Sequence, residues 1–471
     1  FTDLYGKVTF NGENGSKANI FGLYYDDQVR YQAVSDLNWN NQGIGGNFIL
    51  IPSGSPVLVE GNFAYSQYKI RLQEENLRDR TSAINGFNGG LGFTYFKGDD
   101  EIKYGIEIVG FSTDFFYFNA ANREVSQQEN TTELAGYVRY KKKLGKLVLD
   151  PSFRVHYYAS LSTPSFEPRI GAKYNVNDNF RLKFAAGVYS QNLIAANSDR
   201  DVVNLFNGFI SGPSTLQDEV MDENGDTREV KHSLQKANHF ILGAEIDFTK
   251  RFSLNVEGYL KRFTQLTNIN RNKVFDNPEP GLEEYLYLDY IIETGDAYGI
   301  DFVFNYDLPS INLYAVYSLG KTTRWDGVQT YSPVFDRRHN VNLVGSYKFG
   351  KTRLWEFDVR WNMGSGFPFT QTQGFYEQYT FQNGTASDVV NSNGELGIVY
   401  GDLNGGRLPY YHRLDLTLKR EIILSTNSTL EANIGVTNAY NRENIFYFDR
   451  VNFERVNQLP FMPSAGLKVN F

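Results

Sequence analysis

Residues 355–362 read WEFDVRWN. Trp355, Phe357, Val359 and Trp361 fall on one parity; Glu356, Asp358, Arg360 and Asn362 fall on the other. Successive side chains of a β-strand point to opposite faces, so this is a ribbon with one apolar and one charged face. The same alternation returns in RLDLTLK, where Leu414, Leu416 and Leu418 oppose Arg413, Asp415, Thr417 and Lys419, and in TLEANIGV, where Leu430, Ala432, Ile434 and Val436 oppose Glu431, Asn433 and Gly435. FRLKFAAGV (180–188), LVLDPSFRVHY, FILGAEIDF and FSLNVE repeat it.

About nineteen such segments follow one another, with no convincing amphipathic helix between them. They are expected near 3–11, 17–31, 35–52, 56–71, 82–98, 101–117, 130–142, 146–159, 165–175, 180–192, 238–249, 252–266, 295–307, 311–321, 339–349, 354–365, 409–421, 429–440 and 460–471. The connections have a period of their own. NGENGS, PSGSP, GDD, KLGK, NVNDN, TKR, LPS, GKT and the stretch around Ser425–Ser428 are tight. Between them lie longer segments, among them 193–237, 267–294, 322–338, 366–408 and 441–459. Short and long connections alternate, although 32–34 and 160–164 are brief on the long side, which puts the tight turns at one rim and the long loops at the other, the pattern of an outer-membrane barrel.

Composition agrees. The 471 residues hold 32 Tyr and 37 Phe but 3 Met and no Cys. No run approaches the roughly 18 apolar residues of a spanning helix, and the polar mean hydropathy of -0.43 is what half-apolar strands produce. The absence of Cys removes disulfides, thiolate metal sites and thiol catalysis. A net charge of -8 without a long basic block gives no basis for a nucleic-acid partner. The expected fold is all-β, a transmembrane antiparallel β-barrel spanning 1–471.

The chain ends LPFMPSAGLKVNF, with Phe461, Pro463, Ala465, Leu467, Val469 and Phe471 on one parity. An apolar terminal strand needs a partner on its edge, so it is expected to close the barrel while running toward the short-turn rim. The first strand also runs toward that rim. An odd count results, whereas bacterial single-chain barrels have even counts, so either at least one strand is expected upstream of Phe1 or the first segment is not a strand.

YSPVFDRRHNVNLVGSYKFG, WNMGSGFPFTQTQG, NGGRLPYYHRLDLTLKRE, TLEANIGVTNAYNRENIFYFD and LPFMPSAGLKVNF, in this order and spacing over about 331–471, resemble the last strands of the TonB-dependent receptors of the Bacteroidota outer membrane. DLYGKVTFNGENGSKANIFGLYYDDQVRY within 1–70 is similar to a lesser degree. The resemblance implies a barrel of about 22 strands around an N-terminal plug. The plug, the TonB-interacting box and the first strands are then expected upstream. It also implies uptake of a bulky or scarce ligand (metal chelate, oligosaccharide or peptide), partnership with TonB, outer-membrane lipid and a surface lipoprotein, and recognition of the strand ending at Phe471 by the barrel-assembly machinery. A barrel without transport, serving as a structural or docking subunit, is the alternative. No nucleophile–base pair supports a barrel enzyme, and no cofactor is implied.

Candidate sites are few. His156, His232, His239, His339 and His412 are scattered without metal-ligand or Ser-His-Asp spacing; His156, on a charged parity, is expected to line the lumen. Asp222, Asn224 and Asp226 stand like the start of a calcium loop, but Thr227 replaces its Gly and Ser233 its bidentate Glu, so a hairpin turning at Asn224–Gly225 is expected. Arg337 and Arg338 of DRRHN could fork onto an anion; a strand-start cluster held by lumen carboxylates is the simpler expectation. Lys103, Glu107, Glu133, Arg139, Arg154, Arg181, Lys183, Glu245, Asp247, Glu257, Asp301, Glu356, Asp358, Arg360, Arg413, Asp415, Lys419, Glu431 and Lys468 should face a wet or plugged lumen, because either sign facing lipid near the midplane costs several kcal/mol. The loop 374–394, rich in Tyr, Phe, Asn and Gly, is a candidate ligand surface.

Overall fold

A computed structural model describes residues 1–31, 35–74, 78–119, 123–196, 205–213, 216–222, 224–278, 280–378, 394–426, 428–448, 450 and 453–470. Phe471 and most of the loop 374–394 lie outside them.

The long strands are β1 Thr2–Asn11, β2 Lys17–Tyr31, β3 Ser35–Leu50, β4 Val57–Glu74, β5 Arg80–Lys97, β6 Asp100–Phe118, β7 Glu124–Leu144, β8 Leu147–Tyr158, β9 Thr163–Asn175, β10 Phe180–Gln191, β11 Gln235–Thr249, β12 Phe252–Ile269, β13 Tyr290–Asp307, β14 Ile311–Trp325, β15 His339–Phe349, β16 Trp355–Gly364, β17 Tyr411–Ile423, β18 Thr429–Thr437 and β19 Met462–Asn470. With the two-residue strand Thr330–Tyr331 they form one 20-stranded sheet. Each pairs antiparallel with its neighbour in sequence, as Lys7 with Phe21 in β1–β2 and Ala432 with Leu467 in β18–β19. Among the described residues the helical ones are confined to short 3-10 turns such as Ala159–Leu161, and no helix there is long and apolar enough to cross a membrane.

The short connections sit at one rim. Gly98 and Gly145 show why they can be so short. Each begins a two-residue turn, between the paired residues Lys97 and Asp100 or Leu144 and Leu147, and each has φ near +60° (63° and 60°), which glycine adopts without a Cβ penalty.

Register carries one column of side chains unbroken around the sheet. On β4 the outer column is Val57, Val59, Phe63 and Tyr65, then Gln67, Lys69 and Arg71. On β13 it is Tyr306, Phe304, Phe302, Ile300 and Tyr298, then Asp296; on β12 it is Phe252, Leu254, Val256 and Leu260, then Arg262. The switch from apolar to polar falls at a matching level on these strands. From Val57 to Tyr65 the chain advances about 26 Å, which at the 35–45° tilt of outer-membrane strands covers about 20 Å of their apolar band of about 25 Å. At the short-turn rim this column ends in rings: Phe248 on Phe252 (4.6 Å), Phe252 on Phe304 (4.8 Å), Phe93 on Tyr104 (5.3 Å) and Phe349 on Trp355 (6.1 Å). Such a belt suits the membrane–water interface.

All nineteen charged residues expected on the polar face lie on the opposite, inner column. Leu414, Leu416, Leu418, Leu430, Ile434, Leu467 and Val469 lie on the outer one. The sheet is rolled with that inner column inside. Leu37, Ile70 and Phe115 on β3, β4 and β6 share a packed cluster with Ile269 and Tyr290 on β12 and β13, which strands so far apart in a flat sheet could not do.

The structure departs from the expected bounds at the long-loop rim. β7 starts at Glu124 rather than near 130, and β13 at Tyr290 rather than near 295. Above the apolar band both columns are polar or both are mixed, so alternation no longer marks the strand. Small paired strands in the long connections, such as Thr372–Gln378 with Glu395–Tyr400 and Asn444–Phe448 with Arg455–Gln458, were likewise unmarked.

Candidate functional site

The long-loop rim opens into a vestibule that two segments cross from opposite walls. The first follows β10. Leu193–Ala196 pairs with Gly208–Ser211, and this hairpin lies against the inner columns of β5, β6 and β7. Ser82 Oγ accepts from Phe209 N at 3.0 Å, Gln127 Nε2 donates to Ser211 O at 2.8 Å, and the Thr113 and Ser211 hydroxyls are 2.9 Å apart. Further on, Gln217 Oε1 accepts from Ile292 N (3.1 Å), Met221 O accepts from Trp325 Nε1 (2.8 Å) and Arg228 donates to Thr264 O (2.7 Å). The segment therefore passes from the β5–β7 wall to the β12–β14 wall. Its apolar residues Phe206 and Ile210 are wholly buried in the crossing.

The second segment follows β12 and runs the other way. Asn119 Nδ2 donates to Lys273 O (2.8 Å), Lys273 Nζ donates to Glu124 O (2.7 Å), and Arg123 pairs with Asp276 (3.0 Å). Its root is a buried ion cluster. Arg271 reaches Glu293 at 2.6 Å, Asp326 at 2.8 Å and the Tyr331 hydroxyl at 2.8 Å; Arg324 reaches the other Glu293 oxygen at 3.2 Å. Buried charge is tolerated only when paired and hydrogen-bonded on all sides, as here.

Below the first crossing lies a cavity of about 370 Å³, lined by Tyr68, Asn88, Glu133, His156, Tyr158 and Asn192 among others. His156 Nε2 is 3.1 Å from Glu133 and Nδ1 is 4.0 Å from Glu167. Its ring stacks on Tyr158 at 4.1 Å. Glu167 is satisfied by Arg169 (2.5 Å) and by the Ser190 hydroxyl (2.6 Å). His156 thus lines the lumen, as its parity predicts. Among the described residues no cluster of His, Asp and Glu has the arrangement of a metal site.

The rest of the inner wall is a mosaic of its own ion pairs. Arg154 meets Glu107, Lys103 meets Glu60, Arg181 meets Glu245 and Asp247, Lys183 meets Glu257, and Lys419 meets Glu356 and Asp358. Half-exposed pairs like these contribute little stability each. Their effect is a wall that is polar and hydrated without a strong field of one sign.

Arg337 and Arg338 do not form one anion fork. Asp336 takes Arg407 at 2.5 Å and the Thr322 N–H at 2.8 Å. Arg337 is instead stacked under Phe367 (4.1 Å) and near Tyr411 (6.0 Å), with its Nε unpaired, and burial lowers its pKa. Rings rather than the expected carboxylates hold it. The segment at Asp222 is a hairpin: Glu219–Met221 pairs with Thr227–Glu229, Gly225 has φ +89°, and Asp222 Oδ1 accepts from Asn224 N (2.8 Å) and Asp226 N (3.0 Å). Those N–H groups, Asp226 first, hold the Asp222 carboxyl below its usual range. His412 meets the Tyr440 hydroxyl (2.8 Å) and His339 that of Tyr317 (3.0 Å); His239 stacks on Tyr189 (4.5 Å) and His232 sits by Gln265.

No protein-family model and no curated protein sequence matches the chain. Solved structures do. The unliganded ferric citrate transporter FecA is 13% identical, with TM-score 0.62 over 99% of this chain and 69% of that one. The ferric-catecholate import receptor Fiu from E. coli K12 is 10% identical, with TM-score 0.63 over 99% and 73%. P. aeruginosa FpvA bound to heterologous pyoverdines is 12% identical, with TM-score 0.65 over 99% and 64%. The chain thus spans about two thirds of the length of these structures, and at such identity the likeness establishes the fold: that of the outer-membrane receptor barrels.

Proposed function

We propose that this chain is the barrel of an outer-membrane receptor of the TonB-dependent type, and that it takes up a bulky or scarce ligand, in the first instance a ferric chelate. The observation that carries the reading is the pair of crossings over a wide polar lumen, rooted on opposite walls. A porin for small solutes has no need of a mouth that must rearrange. A receptor that captures a ligand and admits it on command does. The sequence resemblance over 331–471 and the named iron-chelate specificities of FecA, Fiu and FpvA support the same reading.

A plug and further strands would come from the remainder of a longer protein, in keeping with the third of each neighbour that this chain does not cover. TonB would act through that remainder. A surface lipoprotein could seat on the loop rim, and the assembly machinery would read the strand ending at Phe471.

The test is uptake. Cells with and without the gene are offered radiolabelled ferric chelates, a labelled oligosaccharide and a labelled peptide, each with and without a protonophore. Gene-dependent, energy-dependent accumulation of one class establishes transport and names the ligand. Unchanged accumulation of every class, with the barrel present in the outer membrane, would favour the structural or docking role.

A further inference from the structure

We infer that the outer face of β16–β19 holds one anionic phospholipid of the leaflet nearer the short turns. The observation is a groove of about 770 Å³ on this face with a single cation at its side. Register explains the groove. Trp355, Arg420, Ala432 and Leu467 form one cross-strand row, and Leu418, Ile434 and Ala465 the next. Alanine at 432 and at 465 leaves a channel between taller neighbours. At two other places on the outer column a gap of this kind is filled, while at Gly6 a Cβ would meet nothing within 4 Å. The Phe48 ring stands where a Cβ on Gly61 would be (2.3 Å), and the Phe87 ring does the same over Gly110 (2.6 Å). Leu467, paired with Ala432, is on the last strand of the sheet, which pairs on one side only among the described residues. An acyl chain has the width and the chemistry to fill the channel.

Arg420 supplies the second half. Its guanidinium lies 4.5 Å over Trp355, at the level of the aromatic belt that includes Phe349. That is headgroup depth. Among the described residues no carboxylate lies within ion-pair distance of it, and the acids of the surrounding strands, Glu356, Asp358, Glu421 and Glu431, share the inner column. The cation is thus uncompensated by protein on a face that meets lipid. A guanidinium forks onto phosphate, and the adjoining groove receives the chain that a phospholipid phosphate carries. Lys142 provides a contrast: it also stands on the outer column at the short-turn rim, against Tyr140 (5.8 Å), but away from this groove. The inference rests on the outer face alone and holds whether or not the barrel transports.

The experiment uses the full chain purified from outer membranes in mild detergent, with folding of every variant checked by heat-modifiable gel mobility. Native mass spectrometry counts bound lipid after addition of phosphatidylglycerol, phosphatidylethanolamine or glycerol phosphate, which has the headgroup without acyl chains. One phosphatidylglycerol should be retained, in preference to phosphatidylethanolamine, with no retention of glycerol phosphate. Arg420→Gln, which removes the charge, and Ala432→Phe, which fills the groove, should each cut retention about tenfold, while Lys142→Gln leaves it unchanged. Equal retention by wild type and both groove variants would overturn the inference. So would equal retention of the two lipids, binding of glycerol phosphate alone, or efficient disulfide cross-linking of Leu467→Cys between two copies in the membrane, which would make the groove a protein interface.

Discussion

Arg271 Nη2 lies 2.6 Å from Glu293 Oε1, with both side chains almost wholly buried beneath the second crossing. The pair joins the end of β12 to the start of β13, and Asp326 and Tyr331 bring in the connection after β14. Arg271→Ala leaves Glu293 and Asp326 as buried carboxylates without their main partner. Removing one member of a buried pair costs about 3–5 kcal/mol. That energy is set against the anchoring of a loop, since the wall below retains its own ladder. The expected outcome is a barrel that still shows heat-modifiable mobility but is cut by protease within 270–289 many times faster than wild type. Unchanged cleavage would show that the crossing is held by other contacts.

The two columns make a sharper prediction about access. Cysteine placed at Leu416, Leu418 or Ile434 should carry a spin label that collides with oxygen, and at Asp415, Lys419 or Glu431 one that collides with an aqueous relaxant. These residues alternate along β17 and β18, so adjacent sites should give opposite results. Equal access at adjacent sites would rule out the membrane-facing reading of the outer column.

Alternation made the wall legible in the sequence because two solvents read it. Between the rim rings and the level of Gln67, Arg262 and Asp296, polarity follows parity, as it would where one face meets lipid and the other water. Above that level the distinction ends, which is why Glu124–Glu129 and Tyr290–Thr294 did not register as strand. The crossings were hidden for a different reason. Phe206, Phe209 and Ile210 in NLFNGFISG are an apolar cluster inside a polar loop, and such residues need somewhere to be buried. That signal was available but does not say which wall receives it. The ion cluster at Arg271 was not legible at all, because its five members come from the connection after β12, from β13 and β14, and from the connection after β14.

Gly366 tests the corner after β16. A Cβ there would stand 1.5 Å from the Leu408 carbonyl oxygen, an approach that only glycine permits. The same corner holds the Leu408 N–H on Phe367 O (2.9 Å) and the Arg407 guanidinium on Gly366 O (3.2 Å). Gly366→Ala must push the two backbones apart and with them the Arg407–Asp336 pair. A cost of about 3 kcal/mol is expected, read as a lower melting temperature and as new protease sites in 366–410. Gly374→Ala, where a Cβ meets nothing within 4 Å, should change neither. Comparable effects of both substitutions would refute the close-approach argument.

The last prediction concerns pH at the first crossing. His232 is half-buried beside Gln265, whose Nε2 donates to His232 O at 2.6 Å. Burial lowers its pKa, and the nearby charges of Lys236 and Arg228 add to the effect. In the folded loop the imidazole therefore holds fewer protons than in the unfolded loop, so stability rises with pH in this range. The contribution is complete above the ordinary histidine value of about 6.5. It declines as pH falls below that value and is lost once pH has passed the depressed folded one. Asp222 in the same segment is an internal contrast, because its carboxyl is held below its usual range and it stays ionised at pH 5.5. Amide exchange at pH 7.5 and pH 5.5, corrected for intrinsic rates, should show 228–235 loosening on acidification while the turn at 222–226 keeps its protection. His232→Asn should remove the pH dependence and leave the neutral-pH protection nearly intact. Loosening of both stretches together, or persistence of the effect in His232→Asn, would assign the acid sensitivity to other groups.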